Sequence, residues 1–377
     1  MPIPPRGEVA AALSGAWGAG VEVGAGQRIG PWCVARYEIT DGPHAIDSPY
    51  ASVVVKWLRA GDPDDPGQRA HQSQLTTESV ALQFLASCEI SAPAVIHADT
   101  SLLIMEDLGR HRSLDELIID EGCTANVRRH LINTARELAR RHGMTADRST
   151  EYYARFGGVG NVDPERELSR FLDQGWERTR CWATELGDGP DHHAIAEAQE
   201  VNRTITRPDG FLALSNGDSA TNNVLVVDDS VMIIDYEFAG FRHCLTDLVE
   251  FYLPGPRFVA VADAASSGFE DSYRAELGQW IPEAADDQAF GVGLAAAGLT
   301  HAFVRLANFG TCDRRPRGDL SRLERLHGLE SAADLAEGRS AFPFLTHWCR
   351  TLAKTLRRRW PDTDIDTNQL PPFLPRG

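Results

Sequence analysis

The chain has 377 residues. Its hydrophobic share of 42% and charged share of 24% exclude a mostly disordered or fibrous protein. With 54 Asp and Glu against 37 Lys and Arg, the net charge of −17 disfavours nucleic acid and anionic lipid as partners.

At roughly 100–200 residues per domain the length fits two or three folding units or one bilobal enzyme. No run reaches the ~18–20 consecutive apolar residues of a membrane span, and the N-terminus lacks the pattern of a signal peptide. A cytoplasmic protein without a membrane partner is expected. The seven cysteines are widely spaced and form no C-x-x-C pair, so buried reduced thiols are expected rather than disulfides or a zinc site.

In chain order, WCVARYEI (32–39) and ASVVVKWL (51–58) read as strands joined by the turn-rich TDGPHAIDSP (40–49). GDPDDPG (61–67) ends the second strand, and a helix follows over about 69–87. SLLIMEDL (101–108) is an apolar run of strand length. From about residue 113 the pattern is helical, over 114–142, 163–186 and 190–206, with a β-rich island at 211–235. Residues 244–253 and 263–360 again read as helical, and the tail from Trp360 is proline-rich and expected to pack loosely. A small strand-rich third before a large helical part is α+β segregation, which argues against a repeating βαβ enzyme.

Two places carry chemistry. On the helix after the second strand, Leu75, Glu78, Leu82 and Leu85 fall on one face. An acid on an apolar stripe is costly unless paired, and Lys56, set among valines on the strand, is the natural partner. An edge-strand lysine facing solvent is the alternative. In the β-rich island, VLVV and VMIID are separated by Asp228, Asp229 and Ser230 and read as a hairpin. Gly217-Asp218 and Asn223 stand at its entrance and Asp235 at its exit, so the three polar side chains are expected to converge. Two carboxylates and an amide oxygen suit a hard divalent cation such as Mg²⁺. Residues that merely favour turns are the plainer reading of either aspartate alone. Gly24, Gly26 and Gly30 before the first strand could form a phosphate-approaching turn or a flexible segment.

GDSATNNVLV followed by IIDYEFAG resembles the catalytic and metal-binding segments of the aminoglycoside phosphotransferases, small-molecule kinases with a protein-kinase-like fold. The resemblance spans about residues 50–250. It implies a bilobal α+β protein: an N-lobe over 1–105, a hinge over 106–110 and a C-lobe over 111–377. It implies Asp218 as catalytic base, Asn223 and Asp235 as Mg²⁺ ligands, and Lys56 held by Glu78 on the phosphates of ATP. Main-chain contacts to adenine near Glu106 and Leu108 follow from the same resemblance. So does a structural role for Asp247 in tying down the catalytic loop, against simple helix capping. The chain departs from the family pattern at Asn216, where His is usual, and at Ala220, the place of a second His. An asparagine can still hydrogen-bond the loop backbone.

The expected reaction moves the γ-phosphoryl group of ATP to a hydroxyl of a small molecule. Aminoglycoside, choline-like, sugar or macrolide acceptors all remain open, with C-lobe acids such as Glu237, Glu250 and Glu283 available to receive amino groups. A nucleotide-binding scaffold without turnover is the competing expectation.

Overall fold

A computed structural model describes residues 2–42, 51–59, 61–62, 64–122, 124–156, 175–253 and 267–364. Most of the expected 40–49 loop, the first part of the 163–186 helical stretch and the tail beyond 364 lie outside these residues. The chain forms two compact units. The first comprises Met1–His111, Glu151–Asn161 and Ile234–Ala239; the second holds Arg112–Thr150, Val162–Ile233 and Gly240–Gly377.

The first unit is built on an antiparallel sheet. Its strands are β1 (Glu22–Val23), β2 (Gln27–Arg28), β3 (Val34–Asp41), β4 (Ser52–Trp57), β5 (Val95–Ala98) and β6 (Leu102–Glu106). The order is β1-β3-β4-β6-β5, with β2 also on β3. β4 is central and alternates strictly: Val53, Val55 and Trp57 are buried, while Lys56 belongs to the opposite face. The buried face packs with Val9 and Leu13, which come from a helix, Arg6–Trp17, that the sequence reading did not anticipate. The Lys56 face serves the helix Pro66–Ser87. This helix starts where Asp65 accepts from the Gly67 and Gln68 amides, with Pro66 in the first turn.

Gly26 is no flexible link. A Cβ there would stand 2.6 Å from the Tyr37 ring and 2.8 Å from Ile3, so the chain passes directly over packed side chains. Gly30, by contrast, has φ +65° and open space around it, as a turn between β2 and β3 requires.

The second unit is mainly helical. The long pattern expected over 114–142 is two helices, Leu114–Glu121 and Ala125–Thr145, separated by Gly122, whose φ is +66°. Helices His192–Thr206, Asp287–Leu306, Leu320–Gly338 and Pro343–Arg359 enclose a core that includes Phe303, Leu329, Trp348 and Leu352. Helix Asp287–Leu306 has the length and composition of a membrane span, but 67% of that window is buried inside the protein. It is accounted for as a core helix. Trp360 is 1% exposed and donates its indole N–H to Asp313 at 2.9 Å, so the tail packs tightly through its first residues. The basic stretch before it is paired internally: Arg357 with Glu330 and Arg359 with Asp313.

The expected hairpin forms between β9 (Val224–Val227) and β10 (Ser230–Ile233). Its turn is the dipeptide Asp228-Asp229, with Asp228 at φ +52°. β9 also pairs with β7 (Arg112–Ser113). A further ladder joins β8 (Leu212–Ser215) to β11 (Gly240–His243). Among the described residues six cysteines are free; five are buried, while Cys181 is exposed, contrary to expectation.

Candidate active site

In the first unit three of the expected residues meet. Lys56 Nζ lies 2.7 and 2.6 Å from the two carboxylate oxygens of Glu78 and 2.8 Å from Asp235 Oδ1. The Lys56 side chain is 17% exposed and that of Glu78 2%, so the solvent-facing edge-strand alternative is excluded. The Tyr236 amide adds a 3.4 Å hydrogen bond to Glu78. Burial alone would lower the Lys56 pKa, but Glu78 and Asp235 together outweigh it, and the ammonium is held well above its ordinary value. Burial pushes the Glu78 carboxyl up, against the pull of Lys56 and with Asp235 adding to the rise. Asp235 has φ +67°, a region that residues with a Cβ visit rarely.

Of the two residues expected near adenine, Glu106 ends β6. Its amide donates to the Ala94 carbonyl at 2.8 Å, and its carboxylate accepts from the Ala94 amide at 3.1 Å. The Glu106 N–H is therefore committed within the sheet, which leaves its carbonyl and the half-buried Leu108 main chain. Between them Asp107, unremarked in the sequence, is fixed firmly. It pairs with Arg36, accepts from Ser52 Oγ at 2.5 Å and caps the Gly109 amide at 2.9 Å. Burial opposes ionisation there, yet these partners prevail and hold its pKa below the ordinary value. The contacts anchor the segment after β6 to β3 and β4. No sequence signal pairs Arg36 with a residue 71 positions away.

In the second unit the loop after β8 carries Asp218. Gly217 supplies φ +78°. Asn216 Oδ1 accepts from the Asp218 amide at 3.0 Å and from Ser219 Oγ at 2.5 Å, so Asn216 holds the loop in the way expected of it. Asn223 Nδ2 donates to the Asp218 carbonyl at 2.9 Å and to its Oδ2 at 3.2 Å. Asp218 and Asn223 are thus brought together, while Asp235 takes its place beside Lys56.

Asp247 does not cap a helix. It lies within the 3₁₀ segment Cys244–Phe251, 4% exposed. It accepts from Ser215 Oγ at 2.5 Å and from the Asn216 amide at 3.3 Å, and faces His142 Nε2 at 3.1 Å. Burial pushes its pKa up, but His142 and Ser215 more than reverse this, and it falls below the ordinary value. Tyr273 in turn contacts His142 Nδ1 at 2.8 Å. The chain Tyr273–His142–Asp247 therefore fixes the root of the loop that bears Asp218.

Glu250 is half-buried, and among the described residues its Oε2 has no hydrogen-bond partner. Burial, then the charge of Asp218, push its carboxyl up to about 7, with Arg305 opposing.

Asp235, 34% exposed, gives one oxygen to Lys56 and keeps the other. Asn223 Oδ1 accepts a single bond, from Asn222 at 2.9 Å. Each of these, taken separately in its own unit, is an oxygen of the type that Mg²⁺ prefers. Among the described residues no group of three or more His, Cys, Asp or Glu side chains is placed to hold a metal unaided.

No family model matches the chain, and no curated protein matches it. Solved structures do. The gentamicin complex of APH(2")-IIa is 11% identical, with a TM-score of 0.49, over 94% of this chain and 99% of that one. A choline kinase from Cryptosporidium parvum Iowa II is 12% identical, with a TM-score of 0.45, over 93% and 92%. Macrolide 2'-phosphotransferase type I is 12% identical, with a TM-score of 0.46, over 93% and 99%.

Proposed function

We propose that this chain is an ATP-dependent phosphotransferase acting on a hydroxyl of a small molecule. The observation that carries the reading is Lys56, half-buried, charged and held by two carboxylates at 2.6–2.8 Å. A lysine fixed on a central strand by a buried helix acid is a device for binding phosphate oxygens. The second support is the rigid placement of Asp218, whose carbonyl, amide and carboxylate are all engaged by Asn216 or Asn223.

In this reading Lys56 orients the α- and β-phosphates of ATP, and Glu78 keeps its ammonium in place. Asp235 and Asn223 would hold Mg²⁺, which when bound neutralises charge on the transferred phosphoryl group. Asp218 accepts the proton of the acceptor hydroxyl as the oxygen attacks phosphorus. Adenine would be read by main-chain groups near Glu106 and Leu108. Positioning and electrostatics supply most of the acceleration. The scaffold alternative drew on Asn216. That residue satisfies the loop around Asp218, which answers this one of its two grounds; the other, the irregular spacing of Gly24, Gly26 and Gly30, stands, and the turnover assay below decides between the readings.

The acceptor class extends this reading. Glu250, whose Oε2 has no hydrogen-bond partner among the described residues, is the acid offered to an amino group on the acceptor, so amino alcohols and aminated sugars head the panel to be assayed. Phosphate transfer from ATP to members of such a panel, lost in Asp218→Asn with ATP binding retained, is the expected result. Equal turnover in Asp218→Asn would contradict the assigned base. A KM for aminated acceptors unchanged in Glu250→Gln would remove Glu250 from the acceptor site.

A further inference from the structure

The sheet face that carries Lys56 bears a second cation. Opposed residues of a ladder share a face, so Lys56 lies with Val34 of β3 and Leu103 of β6. The next rung on that face holds Val54, Arg36 and Met105. One rung further, Ser52 meets Asp107, the residue that follows β6. Arg36 therefore stands about 7 Å from the level of Lys56 along the strands. Its side chain crosses β4 to reach Asp107.

Side-chain exposure is 18% for Arg36 and 2% for Asp107, so the pair is a fixed clamp rather than a surface contact. Arg36 Nε and Nη2 both donate to the Asp107 carboxylate, and Nη2 also donates to the Gly109 carbonyl at 3.1 Å. Asp107 in turn accepts from the Gly109 amide at 2.9 Å, which closes an Asx-type turn around Leu108. One guanidinium thus ties down residues 107 and 109, on both sides of Leu108. The amides of Glu106 and Gly109 are committed, to the Ala94 carbonyl and to Asp107. The Leu108 amide between them has no hydrogen-bond partner among the described residues.

We propose that Arg36 is the positioning residue for the nucleoside end of the donor nucleotide: by locking the turn 107–109 it presents the Leu108 N–H in one fixed direction to an acceptor nitrogen of the purine base. The inference rests on the phosphotransfer reading and adds a residue to it. Arg36 meets no reacting atom and acts through the main chain. A turn ordered in advance binds without the entropy cost of ordering it. The arginine fork is needed, because a planar group with several donors holds a carboxylate by two bonds and a carbonyl as well, which a lysine cannot reproduce. Lys56 is held independently, by Glu78 and Asp235.

The test compares two ligands by calorimetric titration of the full chain at one magnesium concentration: ATP, and inorganic tripolyphosphate, which offers Lys56 phosphates without a base. Arg36→Gln is expected to weaken ATP about tenfold, on the scale of one lost hydrogen bond, and to leave tripolyphosphate unchanged. Arg36→Lys, which keeps the charge and loses the fork, is expected to recover only part of the ATP affinity. Arg36→Gln/Asp107→Asn leaves no buried charge unpaired, so the same selective loss is expected in a variant that folds even where the single change does not. ATP affinity kept in full by the Gln variants overturns the inference alone. So does an equal loss for both ligands, which would make the clamp a purely structural one, and so does full rescue by Arg36→Lys. A wild-type chain that binds neither ligand overturns the phosphotransfer reading and the inference with it.

Discussion

Lys56 is satisfied by Glu78 and Asp235 at once, and this makes it a structural as well as a functional residue. Removing the cation strands a carboxylate that is 2% exposed. Lys56→Met is therefore expected to lose roughly 3–5 kcal/mol in urea denaturation, and Lys56→Met/Glu78→Leu to recover much of that without recovering ATP binding. Recovery of ATP binding in the double variant would contradict the role given to Lys56. The pair was legible in the sequence because two periodicities crossed: alternation on a strand and an acid on an apolar helix stripe. Asp107 and the Asn216–Ser219 contacts were not legible, since their partners depend on how distant strands and turns are juxtaposed. Glu250 and His243 titrate in opposite senses. Glu250, raised from 4.5 to about 7, holds a proton in the folded state that the unfolded chain releases, so it makes stability fall as pH rises across that interval. His243, lowered from 6.5 to about 3 by burial and then by His142, refuses a proton that the unfolded chain accepts, so it makes stability rise across its own. Each slope approaches about 1.4 kcal/mol per pH unit. Glu250→Gln should therefore steepen the rise of stability between pH 4.5 and 6.5, as followed by urea midpoints. An unchanged slope would mean that Glu250 is ionised throughout.

Among the elements, the loop after β8 depends on a single carboxylate. Asp247→Ala leaves Ser215 Oγ, the Asn216 amide and His142 without their acceptor. At about 1–3 kcal/mol for each stranded buried group, a loss of roughly 3 kcal/mol or more is expected, together with loosened protection of the 215–219 amides in hydrogen exchange. A loss below about 1 kcal/mol would show that the loop is held by other means. Asp65→Ala, which removes a cap from helix Pro66–Ser87, is expected to cost about 1 kcal/mol. The β9–β10 hairpin and the long helix before β5 were readable because apolar runs and turn residues marked their limits. Helix Arg6–Trp17 was not, since Gly15 within it and Gly18 and Gly20 after it suggested an open segment, and its burial at Val9 and Leu13 arises only against the sheet. β11 escaped notice because four residues, GFRH, carry no alternation of their own; β8 supplies the pairing.

For the molecule as a whole, composition sufficed to place a strand-rich part before a helical one, and the α+β class is what the structure has. The helix Asp287–Leu306 shows the limit of counting apolar residues: its Gly and Ala positions serve close packing, with a Cβ at Gly293 falling 2.8 Å from His243. The chain carries a net charge of −17. This charge predicts faster capture of cationic than neutral acceptors, with the advantage shrinking as salt is raised. Lys56 and Asp218 are proposed to serve one phosphoryl transfer, and single-turnover transfer of labelled γ-phosphate from Mg²⁺-ATP to an aminated alcohol is the decisive assay. Labelled phosphate ester is expected from the wild-type chain, roughly 100-fold less or lower from Asp218→Asn on the usual scale of a lost general base, with ATP binding intact in that variant. Transfer at the wild-type rate by Asp218→Asn would contradict it.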